Sequence, residues 1–241
     1  MSNTEIHDIA ANFGGSAATY DSVATVQARL AKQLAAMTAP HIARGSHIVD
    51  IGCGTGFLSD AIASLCHPNR ITLFDLSDAM IAEATRKLKA HPDIEVAHHT
   101  GDAESLIWPL ASAITSASAV QWFKDPLSFA AKARAALQPG GVVALATYGP
   151  STFAELRNGQ PCSYPTLANW LDAMKAAGID IVESRHKMEV QSFDSRIAML
   201  RMMALSGIGT RRHGQSTASM GGNWQLTWET IVMVGKLRAT E

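Results

Sequence analysis

The chain has 241 residues, 47% of them apolar, with 20 basic against 21 acidic side chains and a net charge of −1. That length suits one large domain or one domain with an insertion, and the even charge leaves no basic excess to neutralise nucleic-acid phosphates. No apolar run approaches the ~20 residues that cross a bilayer, and the polar opening MSNTEIHDIAANFGG has no signal-peptide core.

Three cysteines, Cys53, Cys66 and Cys162, form no CxxC pair. They point to reduced thiols in a cytoplasmic protein, with neither a zinc site nor a disulfide framework.

Residues 22–37, SVATVQARLAKQLAAM, space Val23, Val26, Leu30 and Leu34 as on one helix face. Residues 1–40 are expected to form an N-terminal helical segment that contributes to a ligand cleft. A strand–helix alternation then begins. HIVDI (47–51) predicts a strand that runs into a glycine loop, and helix 57–66 follows. RITLFD (70–75) is the next strand, and a helix over 78–90 is opened by Ser77 or Asp78 as N-cap. Strands are predicted at 94–98 and 112–116, the latter alanine- and serine-rich and poor in β-propensity. A helix over 126–137 is stopped by LQPGG (137–141), before a strand at 141–147. This period predicts an α/β fold, a parallel sheet with helices on both faces.

Beyond residue 148 the rhythm changes. A helix is expected at 165–177, a strand at about 179–190, a helix at 194–209 and a last strand at 224–236, the final two strands able to pair antiparallel. Residues 191–222, which include nearly all of the polar run TRRHGQSTASMGGN (210–223), are far longer than a hairpin loop of roughly 2–5 residues. They are expected to form a lid over a cleft within a single 1–241 domain.

The loop after the first strand carries Gly52, Gly54 and Gly56 as G-x-G-x-G. A dinucleotide loop reads G-x-G-x-x-G, whereas the sixth position from Gly52 is the bulky Phe57. Asp75 ends the second strand, where a carboxylate can accept from a ribose diol and repel a 2′-phosphate, or else cap the next helix. Asp102, in GDAESL (101–106), could accept from an adenine amino group or simply stabilise a turn. Cys53 suits a small side chain beneath a ligand better than a nucleophile.

Taken together over residues 45–150, the glycine loop, Asp75, GDAESL, AVQW ending at Trp122, and LQPGG resemble the class I S-adenosylmethionine-dependent methyltransferases. The resemblance implies a Rossmann-like seven-stranded sheet of order 3-2-1-4-5-7-6, with the seventh strand antiparallel and a helical lid. It also implies that Gly52, Gly54 and Gly56 let S-adenosyl-L-methionine lie against the backbone and that Asp50 orients the loop toward its cationic end. Asp75 would hold the ribose, Asp102 and Ala103 would bound the adenine, and Leu76 would be a further cofactor contact. Ser112 stands where this family often has an aspartate opening the fourth strand.

FGGSAATYDSVATVQ (13–27), SASAVQWFKDPLSF, TYGPSTFAELR (147–157) and AMLRMMALSGIGTRRHG (198–214) resemble the malonyl-acyl-carrier-protein O-methyltransferases of biotin synthesis. What this implies is methylation of the free carboxylate of a malonyl thioester, on acyl carrier protein or coenzyme A. A carboxylate with a pKa of about 4 is already ionised at neutral pH, so no general base is expected. Tyr20, Arg157 and Arg201 are the candidates to position the acceptor, with Arg201 pointing inward or bridging. Arg211-Arg212 are candidates for acceptor contact or carrier-protein docking. The histidines show no metal spacing, and no metal, nucleic-acid or membrane partner is expected. The rival readings are a methyltransferase for a free small acid such as trans-aconitate, an NAD-dependent oxidoreductase and a non-catalytic binding protein.

Overall fold

A computed structural model describes residues 3–206 and 224–238. Helices α1 (Asn3–Val23) and α2 (Thr25–Thr38) precede an alternating series: β1 (His47–Ile51), α3 (Phe57–Cys66), β2 (Arg70–Asp75), α4 (Asp78–Leu88), β3 (Glu95–Thr100), β4 (Ala111–Ala117), α5 (Pro126–Ala136) and β5 (Leu137–Tyr148). Then come α6 (Leu167–Ala176), β6 (Ile179–Ser192), α7 (Arg196–Leu205) and β7 (Gln225–Leu237). The sheet has seven strands in the order β3-β2-β1-β4-β5-β7-β6. β1 to β5 pair in parallel, and β7 runs antiparallel to both β5 and β6. Fold class and strand order are those expected from the resemblance.

Both sheet faces are buried, which is why the central strands read as nearly continuous apolar runs. Ile48, Ile71, Ala113, Val142 and Ala144 pack toward α2, α3 and α4. Their neighbours Val49, Ile114, Val143 and Leu145 pack with Phe129 and Ala133 of α5 and Trp170 and Met174 of α6. The helices carry their own start signals. Ser77 accepts from the Met80 amide at 3.4 Å, Asp125 accepts from the Ser128 amide at 2.7 Å, and Thr166 and Asn169 form a reciprocal capping box.

Two details differ from the sequence expectation, and a third, the strand at 112–116, holds despite its weak propensity. The first helical segment is two helices, broken at Ala24, with α1 reaching back to Asn3. LQPGG does not lie outside the fifth strand: Leu137 already pairs with Ala111, and the ladder shifts register before Ala113 pairs with Val142. The Pro139-Gly140 corner is thus absorbed as an irregularity at the strand's start, where proline is tolerated. The alanine- and serine-rich β4 is a true central strand. Its small side chains fill a slot between β1 and β5, and its hydroxyls find partners, Ser116 Oγ donating to the Ile51 carbonyl at 2.6 Å and Thr115 Oγ1 to the Val49 carbonyl at 3.3 Å. Burial on both faces overrides weak propensity here.

No helix among the described residues is long and apolar enough to cross a membrane.

Candidate active site

The carboxyl ends of β1, β2 and β4 open on a cleft of about 1000 Å³, the open solvent at its mouth included. Ligands bind at this position in open α/β sheets. Of the sequence candidates, Asp50, Gly52, Gly54, Asp75, Leu76, Asp102, Ala103 and Tyr20 all line it.

The loop glycines divide the work. Gly54 has φ +52°, and a Cβ built on it would meet no protein atom within 4 Å, so it faces open cleft and leaves room for a ligand against the backbone. Gly56 has φ +87° and lies not against the cleft but against α4, where a Cβ would come within 2.9 Å of the Ala84 Cα. Its role is to let α3 and α4 approach, a correction to the expectation that all three glycines face the ligand.

Asp75 accepts from the Gly54 amide at 2.9 Å through one oxygen and from the Ser77 amide at 3.0 Å through the other. Each oxygen keeps a lone pair for a diol. Ribose binding and shaping of the loop are therefore compatible roles. Asp102 accepts from the Glu104 amide at 2.9 Å and from Ser105 Oγ at 3.1 Å, so it stabilises its turn while lining the cleft. Asp50 is buried, accepting from Ser59 Oγ and, at 3.3 Å, from Thr115 Oγ1. Burial lifts the Cys53 thiol well above its ordinary range, with the Asp75 and Asp50 charges adding to it, which keeps the sulfur neutral and inert beneath the loop.

Helix α1 roofs the cleft. Phe13 and Tyr20 face it, with ring centroids 6.3 Å apart, and Tyr20 lies 6.1 Å from Phe57. Asp21 ties the roof down, accepting from Thr55 Oγ1 at 2.6 Å and pairing with Lys87 Nζ of α4 at 2.6 Å, while the ammonium sits 4.3 Å over the Phe57 ring.

A second chamber of about 340 Å³ adjoins the cleft and shares Phe13, Tyr20, Gln27, Ser118 and Trp122 with it. Tyr148, Tyr164 and Trp228 form its far side. Sequence reading named none of these three, because they converge from β5, a loop and β7. TYGPSTFAELR was singled out as a run, but not for its tyrosine.

The arginines are placed elsewhere. Arg157 donates from Nε to the Gln160 carbonyl at 3.0 Å and from Nη2 to the Thr152 and Pro150 carbonyls, so its guanidinium braces the loop that contains it and lines neither cavity. Arg201 does not point inward or bridge. Met199, Met202 and Met203 take the buried stripe of α7, and one residue off that stripe Arg201 falls on the exposed face. Arg211 and Arg212 lie outside the described residues, as does half of the expected lid, residues 207–222. Among the described residues no three histidine, cysteine or acidic side chains cluster as a metal site would require.

Burial raises the Asp50 carboxyl from 3.8 to about 7 and the Asp75 carboxyl from 3.8 to about 6, against the hydrogen bonds that each accepts. Both folded values lie above the unfolded ones, so the native state keeps protons that the unfolded chain releases. The resulting stability is fully present below pH 3.8 and is lost as pH rises through about 6 to 7. Ligand-free wild type is therefore expected to lose stability relative to Asp50→Asn between about pH 4 and pH 7.5, as urea midpoints would read. A difference that stays flat across that range would remove the buried-charge account. A cationic ligand would offset the same penalty.

Comparison with known proteins agrees with this geometry. Residues 48–141 match the family model for a methyltransferase domain. The chain is 29% identical over 207 residues to a malonyl-[acyl-carrier protein] O-methyltransferase of Haemophilus ducreyi, covering 83% of this chain and 79% of that protein. A protein of the same description from Bacteroides fragilis is 27% identical over 250 residues, 95% of this chain, which spans only half of that relative's length. Among solved structures, phosphoethanolamine N-methyltransferase 2 of Haemonchus contortus in complex with S-adenosyl-L-methionine superposes with a TM-score of 0.56 at 18% identity, over 86% of this chain and 52% of that one. That likeness carries the fold alone.

Proposed function

We infer that this chain, a class I methyltransferase, uses S-adenosylmethionine to methylate the free carboxylate of a malonyl thioester, carried on acyl carrier protein, as a step toward the biotin precursor. One observation carries the choice of acceptor. Apart from the carboxylates of the cofactor cleft, no described residue lining the cleft or its chamber is a histidine, lysine or other base. An amine or hydroxyl acceptor that must lose a proton finds, among the described residues, only the carboxylates of the cofactor cleft to take it and none in the chamber, whereas a carboxylate arrives ionised. Similarity over most of the chain to proteins described as malonyl-[acyl-carrier protein] O-methyltransferases supports the same acceptor.

The cleft suits the cofactor: its backbone is open at Gly54, the hydrogen-bond-accepting carboxylate of Asp75 stands where the ribose diol would lie, and three further acids, Asp50, Asp102 and Glu104, favour a cation. We assign Asp75 to the ribose, Leu76, Asp102 and Ala103 to the adenine, and Asp50 to the cationic end. Bound there, the cofactor supplies a methyl group already activated on a sulfonium. The chain's own task is to align the acceptor behind that methyl and to exclude water, and alignment of this kind can contribute about 7–11 kcal/mol. Tyr20, common to both cavities, is assigned to the junction. Neither Arg157 nor Arg201 is assigned to the acceptor. Three free cysteines and the near-neutral charge fit a cytoplasmic setting.

The test transfers labelled methyl to malonyl-carrier protein, malonyl-CoA, acetyl-carrier protein and free malonate in parallel. Malonyl thioesters are expected to take label that mild base releases, as a methyl ester should. Label on acetyl-carrier protein, which has no free carboxylate, would sink the assignment.

A further inference from the structure

Ser118 is the first residue after β4 and holds φ +59°, a left-handed backbone that non-glycine residues adopt at a cost. The neighbourhood fixes it there. Its amide donates to the Ala146 carbonyl at 2.8 Å, and its own carbonyl accepts from Gln121 Nε2 at 2.7 Å. Gln121 is in turn held by Thr147, whose Oγ1 donates to its Oε1 at 3.1 Å. The strained turn aims Ser118 Oγ at the Tyr148 hydroxyl, 2.7 Å away. Ser118 lines both cavities and Tyr148 only the smaller, so this contact stands on the boundary that a transferred methyl must cross.

We propose that Ser118 and Tyr148 form a hydroxyl pair that positions the acceptor carboxylate, in a neutral chamber that admits one negative charge. The assignment rests on the carboxyl-methylation reading above. Proton counting supports it. Two hydroxyls carry two hydrogens, and their mutual bond uses one, so whichever group accepts in that bond has its own hydrogen left for a ligand. Burial pushes the Tyr148 hydroxyl far above its ordinary range, which keeps it a donor. A single neutral donor orients a carboxylate without the tight double bond of an arginine, and so leaves its second oxygen free to attack.

The lining also sets the charge limit. Among the described residues no charged side chain lines the chamber, so among them the acceptor's charge has no counterion there, and the sulfonium across the boundary supplies one. A second carboxylate on the same acceptor would be buried without a partner. The chamber therefore favours the monoanionic malonyl head of a thioester over free malonate or a tricarboxylate, with the thioester end directed out of the chamber.

The experiment measures methyl transfer and cofactor affinity for wild type, Tyr148→Phe, Ser118→Gly and the double variant. Phenylalanine keeps the ring of Tyr148, and glycine suits the φ of Ser118, so each removes a hydroxyl with the backbone undisturbed. Tyr148→Phe is expected to lower acceptor kcat/KM by roughly tenfold to a hundredfold, the range for a hydrogen bond to a charged group. Its cofactor Kd should stay within about twofold, because Tyr148 does not line the cofactor cleft. The double variant should lose little more than either single one, as members of one unit do. Wild-type acceptor kinetics in Tyr148→Phe, an equal loss of cofactor affinity, or additive losses would each overturn the pair while leaving carboxyl methylation standing. A wild type that methylates no carboxylate at all would overturn both.

Discussion

Asp75→Ala is expected to weaken cofactor binding by roughly a hundredfold to ten-thousandfold. The carboxylate is placed at the carboxyl end of β2, and each of its oxygens keeps acceptor capacity for one hydroxyl of a ribose diol. Two hydrogen bonds to a charged acceptor contribute about 1.5–3 kcal/mol each. Removal also releases the Gly54 and Ser77 amides, so the loop that should lie against the cofactor loses its anchor as well as its ligand contact. Asp75→Asn keeps one acceptor oxygen and should fall between the two. Calorimetric titration with S-adenosylmethionine reads the effect directly, and an affinity within tenfold of wild type would show that the ribose is held elsewhere. Thermal stability of the ligand-free Asp75→Ala protein should not fall in parallel, because a carboxyl whose burial lifts it to about 6 is a net burden on the empty fold near neutral pH.

Gly52→Ala should be the most damaging single methyl in the chain. Gly52 has φ +67°, and a Cβ there would stand 2.2 Å from the Ala119 Cβ, well inside any contact distance. Ala119 sits on the turn after β4 and lines the cleft, so the clash cannot relax without moving the cleft wall. Overpacking and left-handed strain together should cost about 2–5 kcal/mol, a fall of roughly 5–15 °C in Tm for a domain of this size. Ala119→Gly in the same background removes the opposing methyl and leaves the Ala119 Cα, 3.7 Å away, as the nearest atom. It should recover the packing part of the loss and leave the backbone strain. If Gly52→Ala melts with wild type, the two turns are not in the contact described.

The lining of the proposed cofactor cleft was legible in the sequence because its elements are local. A glycine loop, a carboxylate at the next strand end and an acidic turn after the third strand follow the chain in the order in which the sheet stacks them, so spacing alone puts them in one cleft. The acceptor side was not. Its walls come from Phe13, Tyr148, Tyr164 and Trp228, four aromatic side chains of unconnected segments that each read as ordinary core residues. Arg157 and Arg201 misled for the opposite reason. A cation in a promising run suggests a meeting with an anion, yet Arg157 spends Nε and Nη2 on carbonyls of its own loop, with Nη1 buried and unpartnered away from both cavities, and Arg201 is turned outward by the methionine stripe beside it. The functional contact that replaces them, Ser118 with Tyr148, carries no charge and depends on one left-handed residue, which no periodicity reveals.

The staple of Asp21, Thr55 and Lys87 joins α1 to the glycine loop and to α4 at once. It fastens one end of α1, next to the break at Ala24, and at the other flank Ser16 Oγ reaches the Ala204 carbonyl of α7 at 3.4 Å. Phe13 and Tyr20 are thereby held over the cleft by contacts at both flanks of α1, so part of the cleft's shape is set by an ion pair and a hydroxyl contact that lie outside it. The roof of the cleft thus comes from the first twenty-odd residues, far along the chain from Asp75 and Asp102, which also line it.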